Sequence, residues 1–321
     1  MEQGLKGKKI LVTGGCGFIG SHIVDGLLGA EAKVVVLDNL SSGKLANISH
    51  CQEKIEFVQG DIRDEGSLEK AFSGIDCICH QAALRSVPKS VNRPADYNDV
   101  NVTGTLRLFI KAKEKGIKKI VCASSSSVYG DREDFPEKET DVALPISPYA
   151  ATKLIVEHYA YVFSKLYGME IANLRYFNVY GPRQSLDDDY AVVVPKFIHC
   201  LLNEKRPPIY GDGKQERDFT YIQNVVTANL RALSAAGLSG QVFNVADGKP
   251  KSVNYLLDVL NQVTGRRVIA QYLPERAGDV RKTHAQIEKA RKFLGWDPEV
   301  DFTEGLRRTV EWFKKEQAKK I

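Results

Sequence analysis

The stretch "KKILVTGGCGFIGSH", residues 8–22, constrains the fold more than any other part of the chain. An apolar, β-branched run leads into Gly14, Gly15, Gly17 and Gly20 and then into a helical pattern. Glycines between a strand and a helix let backbone N–H groups approach a bound anion, and the helix presents its positive end to the same spot. That context makes a glycine motif informative, where a lone one is not. The rhythm continues through "KVVVLD", "IEFVQGD", "DCICHQAA", "KIVCASS" and "EIANLRYFN", with helical patterns between them. Fully apolar strands separated by helices predict a parallel sheet covered on both faces. Right-handed crossovers then give an open, doubly wound α/β sheet of Rossmann type.

After about residue 178 the pattern becomes irregular, through "NVYGPRQSLDDDYAVVV" and "YGDGKQERDFTYI". The expected organisation is a dinucleotide-binding domain over residues 1–177, with a returning segment near 218–246, and a smaller, interleaved α/β substrate domain over 178–321. Amphipathic helices are expected near 252–264 and 302–317. Net charge is +5 and spread along the chain, with no basic-aromatic pattern, so a nucleic-acid role is not expected. No apolar run approaches the roughly 20 residues that span a bilayer. The six cysteines, Cys16, Cys51, Cys77, Cys79, Cys122 and Cys200, form no paired C-x-x-C set, which points to free thiols in a reducing, cytoplasmic setting. The histidines His22, His50, His80, His158, His199 and His284 show no metal-ligand spacing, and no metal is expected.

Asp38 ends the second strand, 18 residues after Gly20. A carboxylate there accepts hydrogen bonds from a ribose diol and repels a 2′-phosphate; with Cys16 rather than a basic residue in the glycine loop, this favours NAD over NADP. Asp61 and Ile62, after the third strand, are candidates for holding adenine. Phe18, Ile19, Asn39, Gln81, Ala82, Ala83 and Tyr176 complete the expected cofactor set.

In "SPYAATK", residues 147–153, Ser147 reads as an N-cap and Pro148 as the first helical residue. Tyr149 and Lys153 then share one helix face near its start. A tyrosine of pKa about 10 is a poor base at neutral pH. One nearby cation lowers such a pKa by roughly 1–3 units. Lys153 and an oxidised nicotinamide are the two cations expected to act on Tyr149. "CASSSSVYG", residues 122–130, ends a strand at the side of the sheet where ligands bind, and Ser125 and Ser126 are the hydroxyls expected beside the reacting group.

Together these motifs, with "LDNLSSG", "NVTGTL", "LRYFNVYGPRQ" and "AGDVRKTHA" in the same order, resemble the extended short-chain dehydrogenase/reductase family, and within it the nucleotide-sugar 4-epimerases. The resemblance spans nearly the whole chain. It implies tightly held NAD, transient oxidation of a UDP-sugar at carbon 4 to a 4-keto intermediate, and a homodimer formed through a four-helix bundle. Tyr149 would take the proton, Ser125 would bridge hydroxyl and carbonyl, and Lys153 would orient the nicotinamide ribose. Tyr210, Arg217, Arg276, Asn178 and Asp279 match nucleotide- and diphosphate-contacting positions, while Arg85, Ser86, Gln184, Tyr190, Val193 and Thr283 would lie toward the sugar. The small Thr283 leaves room for an acetamido group, and the branch most resembled acts on UDP-N-acetylglucosamine. Arg85 departs from that branch, which often has glycine there, and keeps UDP-glucose and UDP-uronic acids open as alternatives. Dehydratases and decarboxylases of the family carry an acid where this chain has Ser127. A non-catalytic NAD or nucleotide-sugar sensor is the alternative of a different class; such proteins usually lose the tyrosine or lysine, and both are present here.

Overall fold

A computed structural model describes residues 4–186, 193–275 and 280–319. The first half runs β1 (Lys9–Thr13), α1 (Phe18–Gly29), β2 (Lys33–Asp38), β3 (Ile55–Gln59), α2 (Glu65–Ala71), β4 (Cys77–His80), α3 (Val87–Asn92), α4 (Pro94–Tyr97), α5 (Thr105–Glu114), β5 (Lys119–Ser125), α6 (Pro148–Tyr167) and β6 (Glu170–Tyr176). A π-helical turn over Asn98–Gly104 joins α4 to α5. The second half adds β7 (Val179–Tyr180), α7 (Val193–Leu202), β8 (Pro208–Tyr210), β9 (Glu216–Arg217), β10 (Thr220–Tyr221), α8 (Ile222–Ser234), β11 (Gln241–Val245), β12 (Lys251–Ser252), α9 (Val253–Thr264), β13 (Gln271–Leu273), α10 (Glu288–Leu294) and α11 (Phe302–Ala318).

Seven strands form one sheet in the order β11-β6-β5-β4-β1-β2-β3, with every pairing parallel. Residues 222–245 supply α8, which lies against α1, and then β11 at one edge of the sheet. Alternate residues of the central strands feed two apolar clusters, one on each face. Leu11, Val35, Ile78 and Ile120 meet Phe72, Phe109 and Phe163. Ile10, Val12, Val34, Val36 and Cys79 meet Ile23, Val24, Leu27 and Val226. That is the period-2 signature of a sheet covered on both sides. The second cluster continues without a break into Phe219, Leu256, Leu260, Phe302 and Leu306 of the C-terminal half. The predicted amphipathic helices are α9 and α11. Among the described residues, no helix is long and apolar enough to cross a membrane.

Candidate active site

A cleft of about 910 Å³ opens at the carboxyl ends of the sheet strands. Its cofactor end is built from glycines that leave no room for a side chain. Gly14 has φ +69°, and a Cβ there would meet the Ala82 backbone N at 2.8 Å. A Cβ on Gly20 would meet the Gly14 carbonyl oxygen at 2.2 Å. Gly17 caps α1 with its backbone alone, with no side-chain cap, so the helix start keeps its N–H groups for a ligand. The cradle fits a pyrophosphate.

Asp38 stands at the wall with Oδ2 accepting from the Cys16 N–H (2.9 Å) and Oδ1 from the Leu40 N–H (2.8 Å). Burial raises its carboxyl, and those two N–H bonds oppose the rise. Each oxygen keeps a second lone pair for a diol. Asp61 is clamped by Arg63, Nε to Oδ1 at 2.9 Å and Nη2 to Oδ2 at 2.8 Å, with Asn39 Nδ2 donating to Oδ2 at 2.8 Å. The Arg63 bonds hold its carboxyl well below the usual range. Gln81 and Tyr176 hydrogen-bond each other and share Asn229 as a partner. Phe18, Ile19, Ile62, Ala82 and Ala83 lie on the same wall.

At the chemical end, β5 delivers Ser125 and α6 delivers Tyr149 and Lys153. The α6 start is as the sequence implies: the Ser147 side chain accepts from the Ala150 N–H, and Pro148 occupies the first turn. Ser125 and Tyr149 both line the cleft, and the Ser125 hydroxyl favours ionisation of the phenol. Burial raises the Tyr149 pKa, and the Ser125 hydroxyl and the Arg85 charge pull it back. Lys153 is buried one turn after Tyr149 on α6. Its Nζ donates to the Ala123 carbonyl at 2.9 Å and lies 6.0 Å from the Tyr149 ring centre. Burial pulls Lys153 down to about 8.

Of the residues expected to hold substrate, Arg85, Ser125, Asn178 and Gln184 line the cleft. Ser86, Ser126, Val193, Tyr210, Arg217 and Thr283 do not line it, and each has a local reason where the structure gives one. Ser126 begins a 3-10 turn that rotates it off the strand end, and Ser127 is the serine that meets Ser125 (Oγ–Oγ 3.1 Å). Ser86 caps α3. Arg217 turns its Nη1 onto the Glu216 carbonyl at 2.9 Å. The Thr283 hydroxyl donates to Asn178 Oδ1 and accepts from the Asp218 N–H, both at 3.0 Å, which places it one hydrogen bond behind the wall. Tyr210 sits on β8, and Val193 opens α7. Tyr190, Arg276 and Asp279 lie outside the described residues.

Other site features carry little sequence signal. Arg183, in a left-handed conformation (φ +64°), lines the cleft and pairs with Asp25 Oδ2 at 2.7 Å. Asp25, His50 and Cys51 bring three potential metal-ligand atoms within 4.8 Å of one another, a grouping that residue spacing did not reveal. His80 is buried between Thr13 Oγ1 (2.7 Å) and Thr105 Oγ1 (2.8 Å), and desolvation pushes it down to about 3. That is a structural role.

The cradle, the strand-end serine and the Tyr-x-x-x-Lys turn define a short-chain dehydrogenase/reductase site on a doubly wound sheet. The GDP-mannose 4,6 dehydratase family model matches residues 11–309, and the chain belongs to that family. It is 43% identical to a putative UDP-glucose 4-epimerase of Methanocaldococcus jannaschii, over 95% of this chain and 98% of that one. The structure is similar to a UDP-N-acetylglucosamine 4-epimerase of Methanobrevibacter ruminantium in complex with UDP-N-acetylmuramic acid (TM-score 0.93, 43% identity, 97% and 99% of the two chains). It is also similar to the UDP-glucose 4-epimerase of Thermus thermophilus in complex with NAD (TM-score 0.88, 37% identity, 95% and 99%).

Proposed function

We propose that this UDP-sugar 4-epimerase, which works with NAD, interconverts UDP-N-acetylglucosamine and UDP-N-acetylgalactosamine. The observation that carries the chemistry is the placement of Ser125, Tyr149 and Lys153 in one cleft whose other end is the glycine cradle. Gly14, Gly17 and Gly20 would hold the pyrophosphate of the cofactor, Asp38 its adenosine ribose, and Tyr176 and Lys153 would flank its nicotinamide end. When bound there, NAD would supply the hydride acceptor and donor for carbon 4. Tyr149, as phenolate, accepts the proton of the 4-hydroxyl and later returns it. Ser125 donates to the oxygen on which negative charge develops, and its neighbour Ser127 fixes its orientation. Lys153, held by the Ala123 carbonyl, keeps a positive charge beneath the site.

Thr283 supports the acetamido preference. It is small, and its hydroxyl is occupied by Asn178 and the Asp218 N–H. Asn178, Tyr210, Arg217, Arg276 and Asp279 would serve the nucleotide and diphosphate, and Gln184 would lie toward the sugar. We take the substrate end to be residues 178–321, apart from the 218–246 segment, and the assembly to be a homodimer. The half-exposed apolar residues Ile155, Val162 and Leu166 on α6, with Ile110 on α5, supply the face for it. Incubation with UDP-N-acetylglucosamine, UDP-glucose and UDP-glucuronate separately, followed by separation of the epimers, tests the assignment. Conversion of UDP-glucose or UDP-glucuronate alone overturns the sugar preference.

A further inference from the structure

Asn178 stands on the cleft wall with its backbone at φ +31° and its carbonyl accepting from the Thr220 N–H at 3.2 Å. The Thr283 hydroxyl decides which end of the Asn178 amide meets the cleft. That hydroxyl accepts from the Asp218 N–H and donates its one proton to Asn178 Oδ1, both at 3.0 Å. Oδ1 is therefore turned back toward Thr283, which does not line the cleft. Nδ2, on the other branch of the amide, has no partner among the described residues. An amide fixed in this sense offers the cleft a donor and withholds its acceptor.

Thr283 itself is held from both sides. Its N–H donates to the Glu216 carbonyl at 3.1 Å, and two residues on, the Ala285 N–H donates to Asp218 Oδ2 at 3.1 Å. Asp218 is fully buried, and its other oxygen, Oδ1, accepts from the N–H groups of Asp247 (3.0 Å) and Gly248 (3.1 Å). Between Thr283 and Ala285, His284 is bonded twice to Glu137. The Glu137 N–H donates to the His284 carbonyl at 2.7 Å, and the His284 N–H donates to Glu137 Oε2 at 2.6 Å. A hydroxyl anchored in this way keeps its place whichever way the amide would turn. We propose that Thr283 is a positioning residue, with Asp218 as its anchor: together they aim the Asn178 amide so that Nδ2 donates to an acceptor oxygen of the bound nucleotide sugar. The site then uses the hydroxyl of Thr283 as well as its small size. The ligand rests on the UDP-sugar reading; the orientation of Asn178 rests on the hydrogen bonds alone.

Valine has the shape of threonine without the hydroxyl, and serine keeps the hydroxyl while losing a methyl. The test is calorimetric titration of UDP, UDP-glucose and UDP-N-acetylglucosamine into parent, Thr283→Val and Thr283→Ser, each as purified with its nucleotide. Thr283→Val should bind roughly tenfold more weakly, because a misaimed amide leaves a polar atom unpaired when ligand closes over it. Thr283→Ser should recover most of the parent affinity. Both variants should carry the parent content of nicotinamide nucleotide, which a general loss of structure would lower. In an Asn178→Ala background, Thr283→Val should cost little further, since the two residues act as one unit. Weakening toward UDP itself places the acceptor on the nucleotide diphosphate, and weakening toward the UDP-sugars alone places it on the sugar. Parent affinity in Thr283→Val for every ligand, a serine variant as weak as the valine one, or additive losses with Asn178→Ala overturns the proposal. A parent that binds none of the three overturns both readings. If the ligands bind but no UDP-sugar is epimerised, the epimerase reading fails, while the titration still decides the role of Thr283.

Discussion

Arg175 meets Glu157 fork to fork behind the active site, Nε to Oε1 at 2.9 Å and Nη2 to Oε2 at 2.7 Å, with both side chains buried. Oε1 also accepts from the Ser124 hydroxyl at 2.6 Å, and the guanidinium carbon lies 4.6 Å from the centre of the Tyr129 ring. The pair joins β6 to α6 one turn beyond Lys153 and ties both to the strand end that carries Ser125. Glu157→Ala leaves a buried guanidinium without its counter-charge. Such a break costs about 3–5 kcal/mol, whereas replacing both partners by apolar groups is often near neutral. Urea unfolding should show that loss for Glu157→Ala and recovery of most of it in Glu157→Leu with Arg175→Met. A loss under about 1 kcal/mol for Glu157→Ala would mean that water reaches the pair.

The glycine cradle predicts two opposite outcomes within one helix. At Gly20 an added Cβ meets the Gly14 carbonyl oxygen at 2.2 Å, a backbone atom that cannot move aside without opening the turn. Gly20→Ala should retain at least roughly tenfold less nicotinamide nucleotide per chain through purification, since one tenfold factor corresponds to only about 1.4 kcal/mol. At Gly29, the last residue of α1, nothing lies within 4 Å of the added Cβ. Gly29→Ala should retain nucleotide normally and raise stability by about 0.5–1 kcal/mol, because alanine loses less backbone entropy in a helix. Assay of nucleotide released on denaturation separates the two variants, and equal content in both would refute the steric account.

What the sequence made legible was what local pattern determines. Apolar runs bounded by glycines became β1 to β6, and Ser147-Pro148 marked the start of α6 because cap chemistry is decided by the residues at the cap. Tyr149 and Lys153 were readable because helical spacing fixes their common face. Their electrical partners were not. Lys153 donates to the Ala123 carbonyl on β5, and the Leu84 backbone is held by Asn101, 17 residues further on. Choosing between Ser125 and Ser126 required knowing that the strand gives way to a 3-10 turn after Ser125. The Asp25–Arg183 pair joins residues more than 150 positions apart, a proximity that no periodicity encodes.

His80 predicts how stability depends on pH. It is held neutral between two threonine hydroxyls, with a folded pKa near 3 against about 6.5 for an unfolded histidine. Between those values the unfolded chain binds more protons than the folded one, so stability rises with pH across that window and is lost as pH falls through it. At 1.36 kcal/mol per unit the loss from this group approaches roughly 5 kcal/mol at full protonation. His22, held neutral by burial with its pKa lowered to about 4, adds to the same trend. His80→Gln keeps hydrogen-bonding capacity without the titration. Its urea midpoint should fall less steeply than that of the parent between pH 6.5 and 4. Parallel slopes would show that other groups govern the acid limb.

Removing the phenol oxygen separates catalysis from ligand binding. Tyr149 lines the cleft with its ring edge-on to Tyr97, and under the proposed function its hydroxyl takes the proton. Tyr149→Phe therefore preserves the wall and deletes the base. General-base groups typically contribute 10²–10⁴-fold in rate, so kcat should fall by roughly that factor. Uridine diphosphate-sugar affinity should change by less than about 1 kcal/mol, since at most one hydrogen bond is lost. A binding or sensing protein would give a different pattern, with ligand affinity unchanged and no turnover in the parent to lose. Ser125→Ala supplies the complementary case. It leaves the phenol in place without the Ser125 hydroxyl, so the rate should fall and the acid limb of the pH profile should move upward, because the group that favours the phenolate is gone. Epimer formation by Tyr149→Phe at the parent rate would remove the proton-transfer step from this residue, and a different group in the cleft would have to supply it.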